Sequence, residues 1–150
     1  MGVFNIYGLI AVVQLLIPNL IWEMKKKGEF VEYYHNKPAE IAEQIGRFGC
    51  FITMIVNIPH TYFGYFFEYA NLVYPFFTFA ALAVYLIGWA KKGDKESVFY
   101  ALILSITPSM MFLIDGILIR SIPLIVFAAI FAPCHILISY KNASAIKNDR

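Results

Sequence analysis

Five stretches of about 20 mostly apolar residues, separated by short polar breaks, constrain this chain more than any other feature; a bilayer core of roughly 30 Å takes a helix of that length to cross. They cover about 3–22, 46–67, 72–90, 98–118 and 121–140. The 150 residues are 60% hydrophobic and 15% charged, with a mean hydropathy of +0.66. An ordinary soluble domain is roughly half apolar and about a quarter charged. A chain of this size has too little interior to hide so much apolar surface from water. A soluble enzyme, a nucleic-acid module and a disordered regulator are therefore disfavoured. The expected fold is all-α: one domain, 1–150, an integral membrane bundle of five transmembrane helices surrounded by the lipid bilayer.

The placement of basic residues gives the expected direction of the spans. Lys25, Lys26, Lys27, Lys37 and Arg47 lie between the first two stretches. Lys91, Lys92 and Lys95 lie between the third and fourth, and Lys141, Lys147 and Arg150 follow the fifth. Only Arg120 falls on the opposite side. Cytoplasmic loops carry the excess of Lys and Arg, so the N-terminus is expected outside and the C-terminus in the cytoplasm. The first stretch has no basic region before it and no small-residue cleavage site, so it reads as a retained span and not a signal peptide. Usage of Ile, Lys, Asn and Tyr resembles that of low-GC bacteria, which implies a multi-pass protein of the bacterial plasma membrane.

The connections leave little outside the membrane. Residues 23–45 form the one sizeable cytoplasmic loop, where Phe30, Val31, Tyr33 and Tyr34 suit the headgroup layer as an interfacial elbow. Pro38, followed by Glu40 and Glu43, reads as a helix start running into the second span. The net charge of +2 comes from flanking cations. No basic stripe carries interleaved aromatics, so no nucleic-acid partner is expected. Cys50 and Cys134 lack metal or redox spacing and read as small packing residues.

Polar faces on spanning helices turn away from lipid. In the second stretch Gly46, Cys50, Thr53, Asn57, His60 and Gly64 recur every three or four residues, which predicts one buried stripe along a continuous helix. Ala101, Ser105, Pro108 and Asp115 in the fourth stretch, and Ser121, Ala128, Ala132, His135 and Ser139 in the fifth, repeat the pattern. Gly8, Ala11, Gln14 and Pro18 do so in the first. The third stretch offers mainly Thr78 and Tyr85 and is expected to be peripheral. Pro59, Pro108 and Pro133 are expected as interior kinks beside polar groups, a device of midplane binding sites.

Candidate ligand-binding residues follow from depth. Asn57, His60 and Asp115 are expected to border one water-accessible cavity opening outward, with Arg120 at its rim, and Gln14 and Ser105 near the midplane. An intramembrane carboxylate is costly and is usually paired or functional, so Asp115 reads either as an ion-pair partner of Arg120 or as a proton- or cation-binding group. No zinc, nucleophile-elbow or phosphate-loop motif occurs, and no cofactor is expected. The leading reading is a membrane protein that binds or transports a small molecule or ion through a polar seam, alone or as a homo-oligomer. The alternatives are an accessory protein docking a partner membrane protein and an intramembrane lipid-modifying enzyme using His60 and Asp115.

Overall fold

A computed structural model describes residues 3–25, 36–92 and 97–149 and is all-helical. Among these residues the elements are α1 (Ile6–Lys25), α2 (Lys37–Ile55), α3 (Ala70–Lys92), α4 (Val98–Leu118) and α5 (Ile122–Asp149). Three helices are long and apolar enough to cross a membrane: α3 over 23 residues, α4 over 21, and α5 over the 24 residues Ile122–Ala145. The apolar part of α1 is shorter, Ile6–Ile21, and α2 carries Lys37, Glu40, Glu43 and Arg47 among its 19 residues. The expected elbow at Phe30, Val31, Tyr33 and Tyr34 lies outside the described residues.

The second helix departs most from expectation. It starts at Lys37, where Asn36 caps the Ala39 N–H at 3.4 Å and Pro38 sits in the first turn. It stops at Ile55, and Val56 is already extended. The reason lies in Ile58-Pro59: the residue before a proline is pushed out of the helical region, and the proline has no N–H to offer. Pro59 is therefore part of a turn and not a kink inside a span. The expected stripe survives only as far as the helix does, with Gly46, Cys50 and Thr53 buried.

The helices close into a ring. α1 packs on α2 and α3, α3 on α4, α4 on α5, and α5 on α2. Small residues allow the close crossings. A Cβ on Gly46 would lie 2.7 Å from the Phe131 backbone nitrogen, and one on Gly116 would lie 2.9 Å from the Ile125 side chain. A Cβ on Gly8 would collide with the Met54 carbonyl. Tyr74, Met54, Met111, Phe112 and Leu124 fill the interior. Apolar stripes face outward, including Ile41, Ile45, Phe48 and Ile52 on α2 and Leu72 and Phe76 on α3. An apolar patch of this extent marks a surface covered by something other than water.

The third helix is not peripheral. Ala70, Tyr74, Thr78, Leu82, Tyr85, Gly88 and Lys92 form one buried face along its length. Through that face it hydrogen-bonds both neighbours: Asn5 Nδ2 donates to the Tyr74 hydroxyl at 2.8 Å, and Thr78 Oγ1 lies 2.8 Å from Asp115 Oδ2. Two hydroxyls at helical spacing were a small sign of a helix bonded on both sides.

One end of the ring is covered by a strap of non-helical backbone between α2 and α3. Phe4 pairs with Val56, and Tyr62 with Ser121, as single antiparallel bridges. The Asn57 N–H donates to the Val3 carbonyl at 2.6 Å, the Phe66 N–H to Leu118 at 2.8 Å, and the Ile122 N–H to Thr61 at 3.1 Å. Within the strap His60 and Gly64 have positive φ, at 70° and 81°.

Candidate functional site

Among the described residues the other end of the ring is open. The second half of α1, the first half of α2, the last turns of α3, the first half of α4 and the second half of α5 surround a cavity of about 850 Å³. These segments meet there because helices consecutive in the chain run in opposite directions. Nearest the mouth stand Glu40, Gln44, Lys92 and Asn142; deepest are Leu15, Phe51, Phe112 and Phe131. The Phe112 ring makes edge contacts with Phe51 at 6.0 Å and Phe131 at 5.7 Å, so the floor is aromatic.

Between mouth and floor sits a charged cluster. Glu43 is 4% exposed, and its Oε1 accepts from the Arg47 guanidinium one turn later on α2. The same oxygen is 3.2 Å from His135 Nδ1 on α5. His135 lies flat on Phe131, with centroids 4.6 Å apart, which fixes the imidazole plane. A buried carboxylate is tolerated where charge and hydrogen bonds compensate its lost hydration, and Arg47 supplies the charge. Opposite, Asn19 Nδ2 donates to the Tyr85 hydroxyl at 2.7 Å and to the Leu15 carbonyl at 2.8 Å. The Lys92 ammonium stands 5.4 Å from the Trp89 ring, within cation–π range.

Deeper hydroxyls are turned back on their own helices. Ser105 Oγ donates to the Leu102 carbonyl at 3.1 Å, Ser109 Oγ to Ser105 at 2.7 Å, and Thr53 Oγ1 to Gly49 at 2.6 Å. These hydroxyls are satisfied by local bonds, and the cavity lies toward the open end.

The expected site residues are dispersed. Ser105 lines the cavity. Gln14 is half-buried on α1 and Asn57 is buried just past the end of α2. His60 is exposed in the strap, whereas Asp115 has no exposed surface at all. An outward cavity shared by Asn57, His60 and Asp115 is therefore not formed; the end that carries them is strapped shut. Asp115 and Arg120 do not pair. Arg120 Nε donates to the Gly64 carbonyl at 3.1 Å and its Nη2 to Phe63, so its charge holds the strap. A positive φ of 51° at Arg120 turns the chain sharply between α4 and α5 and aims the side chain that way.

Glu43 was the residue that sequence reasoning misplaced. Read as an acid suiting the helix start, it lies one turn before Gly46 and Arg47, so the buried stripe extended backward would have reached it. Among the described residues no group of three or more His, Cys, Asp and Glu could hold a metal ion. The cavity instead offers guanidinium, ammonium, imidazole, amide and carboxylate groups above an aromatic floor. Compared with known proteins, the chain matches no family model, no curated protein and no solved structure.

Proposed function

We propose that all five helices cross the bilayer of a plasma membrane, N-terminus outside and C-terminus in the cytoplasm, and that the ring binds a small amphipathic molecule in the cavity open to the cytoplasm. One observation carries this: a cavity of about 850 Å³ between the five helices, with a polar mouth and an aromatic floor. Ligand sites are typically about 300–1,000 Å³, mostly apolar, with a few convergent polar groups. The mouth is formed by the helix ends that carry Lys91, Lys92 and Lys141, which the positive-inside bias places in the cytoplasm. The outward stripe Ile41, Ile45, Phe48 and Ile52 gives α2 a lipid-compatible face despite its charges. Those charges sit at its first turns or point into the ring, where membrane proteins tolerate them. The polar part of the bound molecule would meet Arg47, Lys92 and Asn19, and its apolar part Phe112 and Phe131.

The test is thiol accessibility. In a background carrying Cys50→Ala and Cys134→Ala, a cysteine at Ser139 or Ala101 should react with a membrane-impermeant reagent only in inside-out vesicles. A cysteine at Thr61, in the strap, should react only from the outside of intact cells. The reverse pattern would overturn the orientation. Loss of reaction at Ser139 and Ala101 from either side would overturn the open cavity.

A further inference from the structure

A fully buried carboxyl group lies outside the cavity lining. Asp115 on α4 is 0% exposed and faces Thr78 on α3, also 0% exposed. Thr78 Oγ1 lies 2.7 Å from the carbonyl of Tyr74 and 2.8 Å from Asp115 Oδ2. Both are ordinary hydrogen-bond distances. A threonine hydroxyl has one hydrogen and a carbonyl has none. For both contacts to be hydrogen bonds, a second hydrogen must come from the carboxyl: Thr78 O–H donates to Tyr74, and Asp115 Oδ2–H donates to Thr78.

The surroundings agree with that count. Among the described residues no Lys, Arg or His stands within ion-pair distance of Asp115, and Arg120 is committed to the strap carbonyls. On α3 the titratable neighbour is Tyr74, whose hydroxyl accepts from Asn5, just before α1. On α5 the side chains beside the next residue, Gly116, are Leu124 and Ile125. The other carboxyl oxygen, Oδ1, has no hydrogen-bond partner among the described residues. An anion placed there would have one donor and no counter-charge, which is the costliest way to bury a carboxyl. A metal ion fits poorly: the group offers the oxygens of Asp115, Thr78 and Tyr74 already in mutual contact, whereas a hard divalent cation takes about six.

We propose that Asp115 is a proton-binding site that holds α3 to α4. In the bound state the proton bridges Asp115 Oδ2 and Thr78 Oγ1. On release it passes to water, leaving the carboxylate; the Thr78 hydroxyl then rotates to donate to Asp115 Oδ2, and the Tyr74 carbonyl keeps its helical N–H donor but loses the hydroxyl. Protonation thus sets whether Thr78 makes two bonds or one. The proton site rests on this hydrogen count and stands whatever the cavity binds.

Infrared spectroscopy of the whole chain in phosphatidylcholine vesicles at neutral pH reads the proton directly. The parent should show the carbonyl band of a protonated carboxylic acid that shifts in D2O and moves on isotope labelling of aspartate. Asp115→Asn should abolish it with unchanged helical circular dichroism. Thr78→Val should move it to higher frequency by removing its acceptor, and Thr78→Ser should restore it. A parent spectrum with no protonated-carboxyl band, or a band that aspartate labelling does not move, would overturn the proposal. So would a band that survives Asp115→Asn. The labelling result holds even if a variant fails to fold.

Discussion

The two ends of the ring solve the same problem in opposite ways. At the open end the described residues are almost all helical, and the gap between the helices is lined by long side chains such as Arg47, Lys92 and Trp89. At the strapped end α2 stops short and the chain continues as non-helical backbone from Val56 to Tyr69. Backbone out of helix must find partners for its N–H and C=O groups wherever water is scarce. The strap finds them in Val3, Leu118, Arg120 and Ser121-flanking turns, and in finding them covers the ring. Closure here is made by main chain and by carbonyls facing Arg120, whereas openness is maintained by side chains. The first arrangement tolerates little change in shape; the second tolerates much.

The comparison is broken most severely at Gly8, at the strapped end. Gly8→Ala would drive a methyl into the Met54 carbonyl, which belongs to rigid helical backbone and cannot give way as a side-chain tip can. A loss of about 3 kcal/mol or more is expected, at the upper end for overpacking, measured by denaturant unfolding in detergent. Gly64→Ala should cost less, about 1–2 kcal/mol, the strain of an L-residue in the left-handed region. No neighbour lies within 4 Å of a Cβ there, so φ of +81° is the sole obstacle. The sequence pattern had placed Gly64 with Gly46 as a close-packing residue of one helix; a cost at Gly64 as large as that at Gly8 would revive that view. The smallest effect is expected at the open end. Ala101 is half-buried and borders the cavity, so Ala101→Leu has space to enter and should change stability by no more than about 0.5 kcal/mol. A cost approaching that of Gly8→Ala would mean that both ends are equally packed.

Much of the helical plan was legible from apolar runs alone. The third and fourth stretches differ from α3 and α4 by at most two residues at any end, because a run bounded by charges or a tight turn leaves few alternatives. The fifth runs on past Tyr140 to Asp149, since a polar tail such as 142–149 can continue a helix that apolar counting ends. The second was misread because Phe, Tyr and Ile serve a strap as well as a span. Hydropathy across 58–67 gave no sign of the change, while the dipeptide Ile58-Pro59 did. The site was legible in part. Spacing identified which faces of α2, α4 and α5 point inward, including His135 and Ser139, but it could not tell hollow from packed. That distinction depends on how far helices stand apart, and the separation is set by pairs such as Gly46 with Phe131 on different elements. Asp115 illustrates the same limit. A charge five residues away on the chain seemed its natural partner, yet the turn at Arg120 sends the guanidinium to the strap and leaves the carboxyl to Thr78.

The strap also has a consequence for the order in which the molecule can be assembled. Its residues emerge from the ribosome long before the turn that completes it, since Tyr62 waits for Ser121 and Phe66 for Leu118. Until α4 has been made, only the Val3–Asn57 and Asn5–Ile55 links are available to it. Sealing one end of the ring is thus a late event in biogenesis, and a chain arrested before residue 118 would present the strap as an unpaired edge, the kind of surface that recruits wrong partners.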